Sequence, residues 1–349
     1  MAKGIPARLT RRLLALAVLV AGLIGVLAYF YVTPPPPVIR FPGGKRFAFS
    51  IIDDTDMTTL ARVRPIYGVL ERYGLRTTKT VWVYPTTEPE NSTNSGDTLS
   101  DPAYRDFIVD LQRKGFEIAL HGVRGGSSRR EDTLRGLETF KEVLGQYPRM
   151  FINHSMNKDN LYWGHNLLAF GPLRWMTGFV NRHEFSGHDP GSPYFWGDVA
   201  KQRVTYVRRY TFEDINLLNI NPSFPYRLDD KPLVNYWFPT ANGDRRVNFE
   251  ELLTAANVER LVQQGGICLV YAHLGSGSFN QGDEVDPRFE ARIRELVKHD
   301  GWFAPASEIL DYLRQQPGWS GGLGLRERVR VDMRYLVGQL LESVGIGAA

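Results

Sequence analysis

A (β/α) barrel of about seven parallel strands, preceded by one membrane-spanning helix, is the fold this sequence predicts. Two observations carry it. Seven apolar runs of strand length recur between residues 47 and 273, several of them flanked by helical patterns. Strands that alternate with helices imply a parallel sheet, and about seven such units suggest a barrel. Ahead of them, 20 residues from Leu13 to Val32 carry no charge, and at ~1.5 Å per residue they make a helix of roughly 30 Å, the thickness of a hydrocarbon core.

The elements follow in order. Residues 1–12 contain Lys3, Arg8, Arg11 and Arg12 and no acid, so the positive-inside rule keeps them in the cytoplasm and sends the rest of the chain across a cell (inner) membrane in a single pass. Tyr29, Phe30 and Tyr31 close the apolar run as an interfacial belt would. A cleaved signal peptide is the alternative, with Val26-Leu27-Ala28 as its site, but the run is longer than a signal core and continues past Ala28. Residues 33–40, with Pro34 to Pro37, form a stiff linker. Strands are expected at 47–54, 77–85, 116–122, 150–155, 204–210, 233–239 and 266–273, and helices at 60–73, 102–114, 130–144, 258–264 and 287–299. Residues 162–225, rich in aromatics and glycine, read as including long loops. The barrel domain spans 41–316. Residues 317–349 add a Gly-rich linker and an amphipathic helix, expected to pack on the barrel or to dock on the membrane or an envelope protein.

Charge and cysteine content exclude other classes. The net charge is +4, and setting aside the four basic residues of the first segment leaves Lys and Arg in balance with Asp and Glu. No basic stripe remains to track a phosphate backbone, so nucleic acid is not an expected partner. The lone Cys268, inside Ile267-Cys268-Leu269-Val270, reads as a buried hydrophobe and rules out a disulfide framework.

Barrel chemistry collects at the C-terminal ends of the strands. Here the first run ends in Asp53-Asp54, the third in His121, the fourth in Asn153-His154 and the seventh in His273. Each alone has an ordinary explanation, and an Asp pair before Thr55 and Thr58 is a common helix cap. Together they place carboxylates and histidines on one rim. Two histidines and a carboxylate, with positions open for water and substrate, make a hydrolytic zinc site. A second carboxylate then takes the water's proton, and a histidine protonates the leaving group. His183 and His188, within NRHEFSGHDP, read as loop residues.

At these residues the sequence resembles the polysaccharide deacetylase family, the NodB-like carbohydrate esterases. FSIIDD resembles its first motif, EIALHG its second, LVYAHL its last, and WFAPASEILDYL its closing strand and helix. The resemblance implies a distorted (β/α) barrel, Asp53 as catalytic base, Asp54 and His121 as ligands of a divalent metal (Zn2+ first), and His273 as catalytic acid. It implies hydrolysis of N- or O-acetyl groups on an envelope or extracellular polysaccharide. The family's second motif carries another histidine four residues after the first, where this chain has Gly125. His154 is the expected replacement. PRMFINHSMN stands where the third motif would be, and Asn153 with Trp82, Tyr84 and Trp163 is expected to contact sugar. The rivals are an inactive barrel that binds glycan or scaffolds an envelope assembly, and a glycoside hydrolase.

Overall fold

The computed structural model describes residues 25, 28–91, 93–178 and 183–343. The first apolar run forms β1, Phe47–Asp53, and all of its residues are buried. Continuous burial is what a parallel strand covered on both faces requires, and FAFSIID supplies it. Six strands follow: β2 (Thr78–Val81), β3 (Glu117–Leu120), β4 (Met150–Phe151), β5 (Tyr206–Phe212), β6 (Tyr236–Asn242) and β7 (Ile267–Ala272). Each pairs in parallel with the next, and β7 returns to β1 over residues 48–53, which closes the expected seven-stranded barrel.

The crossovers are helical where the sequence has a 3.6-residue apolar period. Leu60–Arg72, Pro102–Arg113 and Arg130–Leu144 follow β1, β2 and β3, and each buries one stripe, such as Val63, Ile66, Tyr67 and Leu70 in the first. After β7 come a small hairpin, β8 (Asn280–Gln281) and β9 (Glu284–Val285), then helix Pro287–Leu296 and strand β10 (Gly301–Phe303). Strand β10 pairs with β1 at Phe47, Ala48 and Phe49, and β2 takes over at Ile52. An eighth strand, the closing strand expected within WFAPASEILDYL, is thereby wedged into the N-terminal end of the barrel.

Several strands are shorter than their apolar runs, 78–81 within 77–85 and 150–151 within 150–155. Their last residues leave the ladder to form the loops that carry the site.

Helix Leu325–Ser343 packs along β5. Tyr335 stacks on Tyr210, with centroids 4.2 Å apart at 19°. Asp332 meets Arg209 at 2.7 Å with both side chains fully buried, and it also accepts from the Tyr210 hydroxyl and the Phe170 N–H, each at 2.7 Å. Of the proposed membrane span, residues 28–31 are helical, and most of the rest lies outside the described residues. No helix among the described residues is long and apolar enough to cross a membrane.

Candidate active site

The C-terminal ends of the strands open into a cavity of about 670 Å³ whose lining includes Asp54, Asp56, His121, Arg208, Asp244 and His273. Adjacent residues of a strand point to opposite faces, and this separates Asp53 from Asp54. Asp54 turns inward. Arg208, on β5 across the barrel, donates to its two oxygens at 3.1 and 2.6 Å, and both side chains are buried. Asp53 turns outward beneath helix Leu60–Arg72. It pairs with Lys79 at 3.0 Å, both side chains fully buried, and accepts from the Tyr67 hydroxyl (3.2 Å) and the Leu274 N–H (2.8 Å). Burial raises its carboxyl pKa, with Lys79 opposing the shift. Asp53 does not line the cavity, so it is not placed to activate a water there. Asp54 is held by Arg208 and stands 3.8 Å from His121 Nε2 through Oδ2.

The carboxylate that joins the histidines is Asp56. The chain turns after β1 through Met57, whose φ of +56° is uncommon for a residue with a side chain. The turn is fixed by Met57 N–H donating to Ser95 O (2.7 Å) and Asp97 N–H donating to Thr58 O (2.8 Å). It brings Asp56 back over the barrel mouth, 7% exposed. One ligand atom each from Asp56, His121 and His154 lies within 4.8 Å of the others, all buried.

These three side chains could hold a divalent cation once His154 Nε2 turns from the Thr93 carbonyl. His121 Nδ1 is 3.2 Å from the Ile152 carbonyl, which only accepts, so Nδ1 donates there and Nε2 is the atom turned toward Asp56. That Nε2 stands 3.0 Å from Asp56 Oδ1, yet Oδ1 is buried without a hydrogen bond. At that separation the imidazole nitrogen and the carboxylate oxygen need a cation or a proton between them. His154 keeps Nδ1 on Asn157 Oδ1 (2.9 Å), and its Nε2 faces the Thr93 carbonyl at 2.7 Å and Asp56 Oδ2 at 3.5 Å. Burial pushes this imidazole down, but Asp56, Asn157 and Thr93 outweigh it and hold its pKa up at about 9. The same histidines hold Asp56 well below the usual carboxylate range despite burial.

Gly125 lacks room for a ligand. A Cβ there would stand 2.5 Å from Asn94 O and 2.8 Å from the Trp82 ring. Trp82 is therefore not a sugar platform. It is 1% exposed, its indole N–H donates to His121 O at 2.8 Å, and its ring stacks on His121 and meets His154 edge-on.

Opposite the triad, His273 Nδ1 lies 2.6 Å from Asp244 Oδ1 and Nε2 lies 3.4 Å from Asp56 Oδ2. Burial opposes protonation, but Asp244 and Asp56 outweigh it and raise the pKa to about 10. Tyr271 donates to Asp244 at 3.2 Å, and Arg208 lies 4.4 Å over its ring.

The remaining expected residues divide. Trp163 lines the cavity. Asn153 also borders it, but its amide is committed to Leu161 N–H and O at 2.8 and 3.1 Å. Tyr84 lies outside the cavity lining, with its hydroxyl on Thr139. His188 accepts from Tyr162 N–H through Nδ1 at 3.2 Å, and burial lowers it to about 4. Sequence reasoning missed Asp56, Arg208 and Asp244. Asp56 had a signal in the Asp-x-Asp spacing after Asp54, and Asp244 one in the Asn242-Gly243-Asp244 turn ending a strand. Arg208, inside a strand, had none.

No protein-family model matches the chain, and no curated protein sequence matches it. Solved structures resembling it include a protein described as a polysaccharide deacetylase from Mycobacterium smegmatis, with 17% identity, 81% of this chain and 95% of that chain covered, and a TM-score of 0.46. A second, described likewise, is from Pseudomonas aeruginosa, with 14% identity, coverage of 81% and 95%, and a TM-score of 0.46. A third is Puue allantoinase, with 13% identity, coverage of 81% and 94%, and a TM-score of 0.47.

Proposed function

We propose that this chain is a metal-dependent deacetylase of an acetylated carbohydrate, tethered by residues 13–32 with its barrel outside the cytoplasm. The observation that carries the chemistry is the buried triad of Asp56, His121 and His154, flanked by an arginine-held carboxylate on one side and a carboxylate-held histidine on the other. An inactive glycan-binding barrel needs no such set. The tether rests on the uncharged run and the basic residues before it.

Asp56, His121 and His154 would hold the metal, Zn2+ being the ion that two imidazoles and one carboxylate suit best. Bound there, it supplies Lewis acidity toward the acyl carbonyl and lowers the pKa of a water. Asp54, which lines the same cavity, would take a proton from the attacking water. Arg208 fixes the orientation of its carboxylate through two parallel hydrogen bonds. His273, its Nδ1 proton committed to Asp244, gives the Nε2 proton to the departing amine or alcohol. Trp163 and Tyr335 border the cavity and offer faces on which sugar rings stack.

The test is acetate release from acetylated oligosaccharides by the purified full chain, before and after chelation, with metal content measured in parallel. Activity should vanish on chelation and return with Zn2+. Arg208→Met should retain metal and lose at least a hundredfold in rate. Acetate release that survives both chelation and Asp56→Asn would sink the proposal.

A further inference from the structure

We infer that helix Leu325–Ser343 ties the cleft to the membrane-proximal segment, so that the substrate is a glycan carried on a lipid of the same membrane. This rests on the deacetylase and membrane readings above and adds to them the substrate's carrier.

The helix has two working sides. Toward the cleft, Tyr335 and Gln339 line the cavity with Trp163. The buried Arg209–Asp332 pair and the Tyr210–Tyr335 stack hold this wall in place. Toward the N-terminus, Arg326 donates to Tyr29 O at 3.0 Å and lies 4.0 Å over the Tyr29 ring. Arg334 reaches Tyr31 O at 3.4 Å and lies 4.7 Å from its ring centroid. These two clamps are eight residues apart on the helix, roughly 12 Å, so they fix the direction of residues 28–32 as well as their position.

The consequence is a short distance. Arg334, which holds the end of the apolar segment, is the neighbour of Tyr335, which walls the cleft. Gln339 follows five residues on, roughly 7.5 Å along the axis. A headgroup layer is about 5–7 Å deep on each side of the hydrocarbon core, comparable to that spacing along the helix. The adjoining helix Gly171–Gly178 is preceded by Phe170, whose N–H donates to Asp332. It exposes Trp175 and Met176 at 68% and 59%, residue types that suit a headgroup level. A saccharide free in solution gains nothing from this placement. One joined to a lipid would be held beside the cleft wall that Trp163 and Tyr335 form.

The full chain is reconstituted in phosphatidylethanolamine–phosphatidylglycerol vesicles with an N-acetylated oligosaccharide, either free or joined to a dialkylglycerol in the same vesicles. At equal bulk concentration, acetate release from the lipid-joined form should be at least tenfold faster. Arg326→Ala with Arg334→Ala should remove that excess and leave the rate on free sugar unchanged. A fluorophore on Gln339→Cys should be quenched by spin-labelled lipid headgroups, and the double variant should weaken the quenching. Equal rates on the two substrates, or a label out of reach of the headgroups, overturn the inference. No acetate from either substrate, with quenching intact, instead refutes the deacetylase reading and supports the cleft's placement at the membrane.

Discussion

Replacing Asp53, Asp54 and Asp56 one at a time by asparagine separates three roles that the sequence runs together. Asp53→Asn leaves the Lys79 ammonium without a counter-charge at a site where both side chains are fully buried. Breaking such a pair costs about 3–5 kcal/mol. At roughly 2 °C per kcal/mol for a domain of this size, the melting temperature should fall by roughly 6–10 °C, while the folded fraction keeps its metal. Asp54→Asn loses the bidentate Arg208 contact but no ligand, so metal is retained and acetate release falls by roughly 10²–10⁴-fold. Asp56→Asn removes the one carboxylate of the triad. Metal affinity should drop at least ~100-fold, about 2.7 kcal/mol. Thermal unfolding by circular dichroism, metal analysis and acetate assays on the three proteins distinguish these patterns. An Asp53→Asn protein with wild-type melting, full metal and no activity would restore Asp53 as the base and refute the division.

Three other outcomes follow from the packing. Gly125→Ala forces a Cβ to within 2.5 Å of backbone at Asn94, so it should cost about 1–3 kcal/mol in denaturant titrations. Asp332→Asn strands the fully buried Arg209 guanidinium; a loss of about 3–5 kcal/mol and faster amide exchange along 325–343 should follow. Lys231 is 1% exposed, and burial lowers its pKa to about 7. Its unfolded value is near ~10.4, so from pH 7 to 10 the unfolded chain binds the extra proton and wild-type stability rises by up to ~1.4 kcal/mol per pH unit. Lys231→Met should exceed wild type most at pH 7 and below, with the margin closing toward pH 10 in pH-dependent unfolding.

Much of the barrel was legible because it is locally encoded. Continuous apolar runs such as FAFSII specify strands covered on both faces, and the alternation with helices makes all of them parallel. Parallel strands end on one rim, so His121, His154 and His273 had to emerge together wherever the barrel closed. The substitution at Gly125 was equally visible, as was the amphipathic stripe of the last helix.

What the tertiary structure decided were the pairings between residues far apart in sequence. Asp53 and Asp54 are neighbours that the pleat sends to opposite faces, one to Lys79 and the other to Arg208, 154 positions away. Asp56 enters the site only because Met57 takes a left-handed turn braced by Ser95. Trp82 became a support for His121 because Asn94 and the indole fill the space above Gly125. The last helix settled on β5 because Asp332 finds Arg209, 123 residues earlier. The sequence by itself determined that His121, His154 and His273 reach one rim, through periodicity and strand direction. Closure of the barrel determined which charges meet there, because β1 and β5 face each other only once β7 has returned to β1.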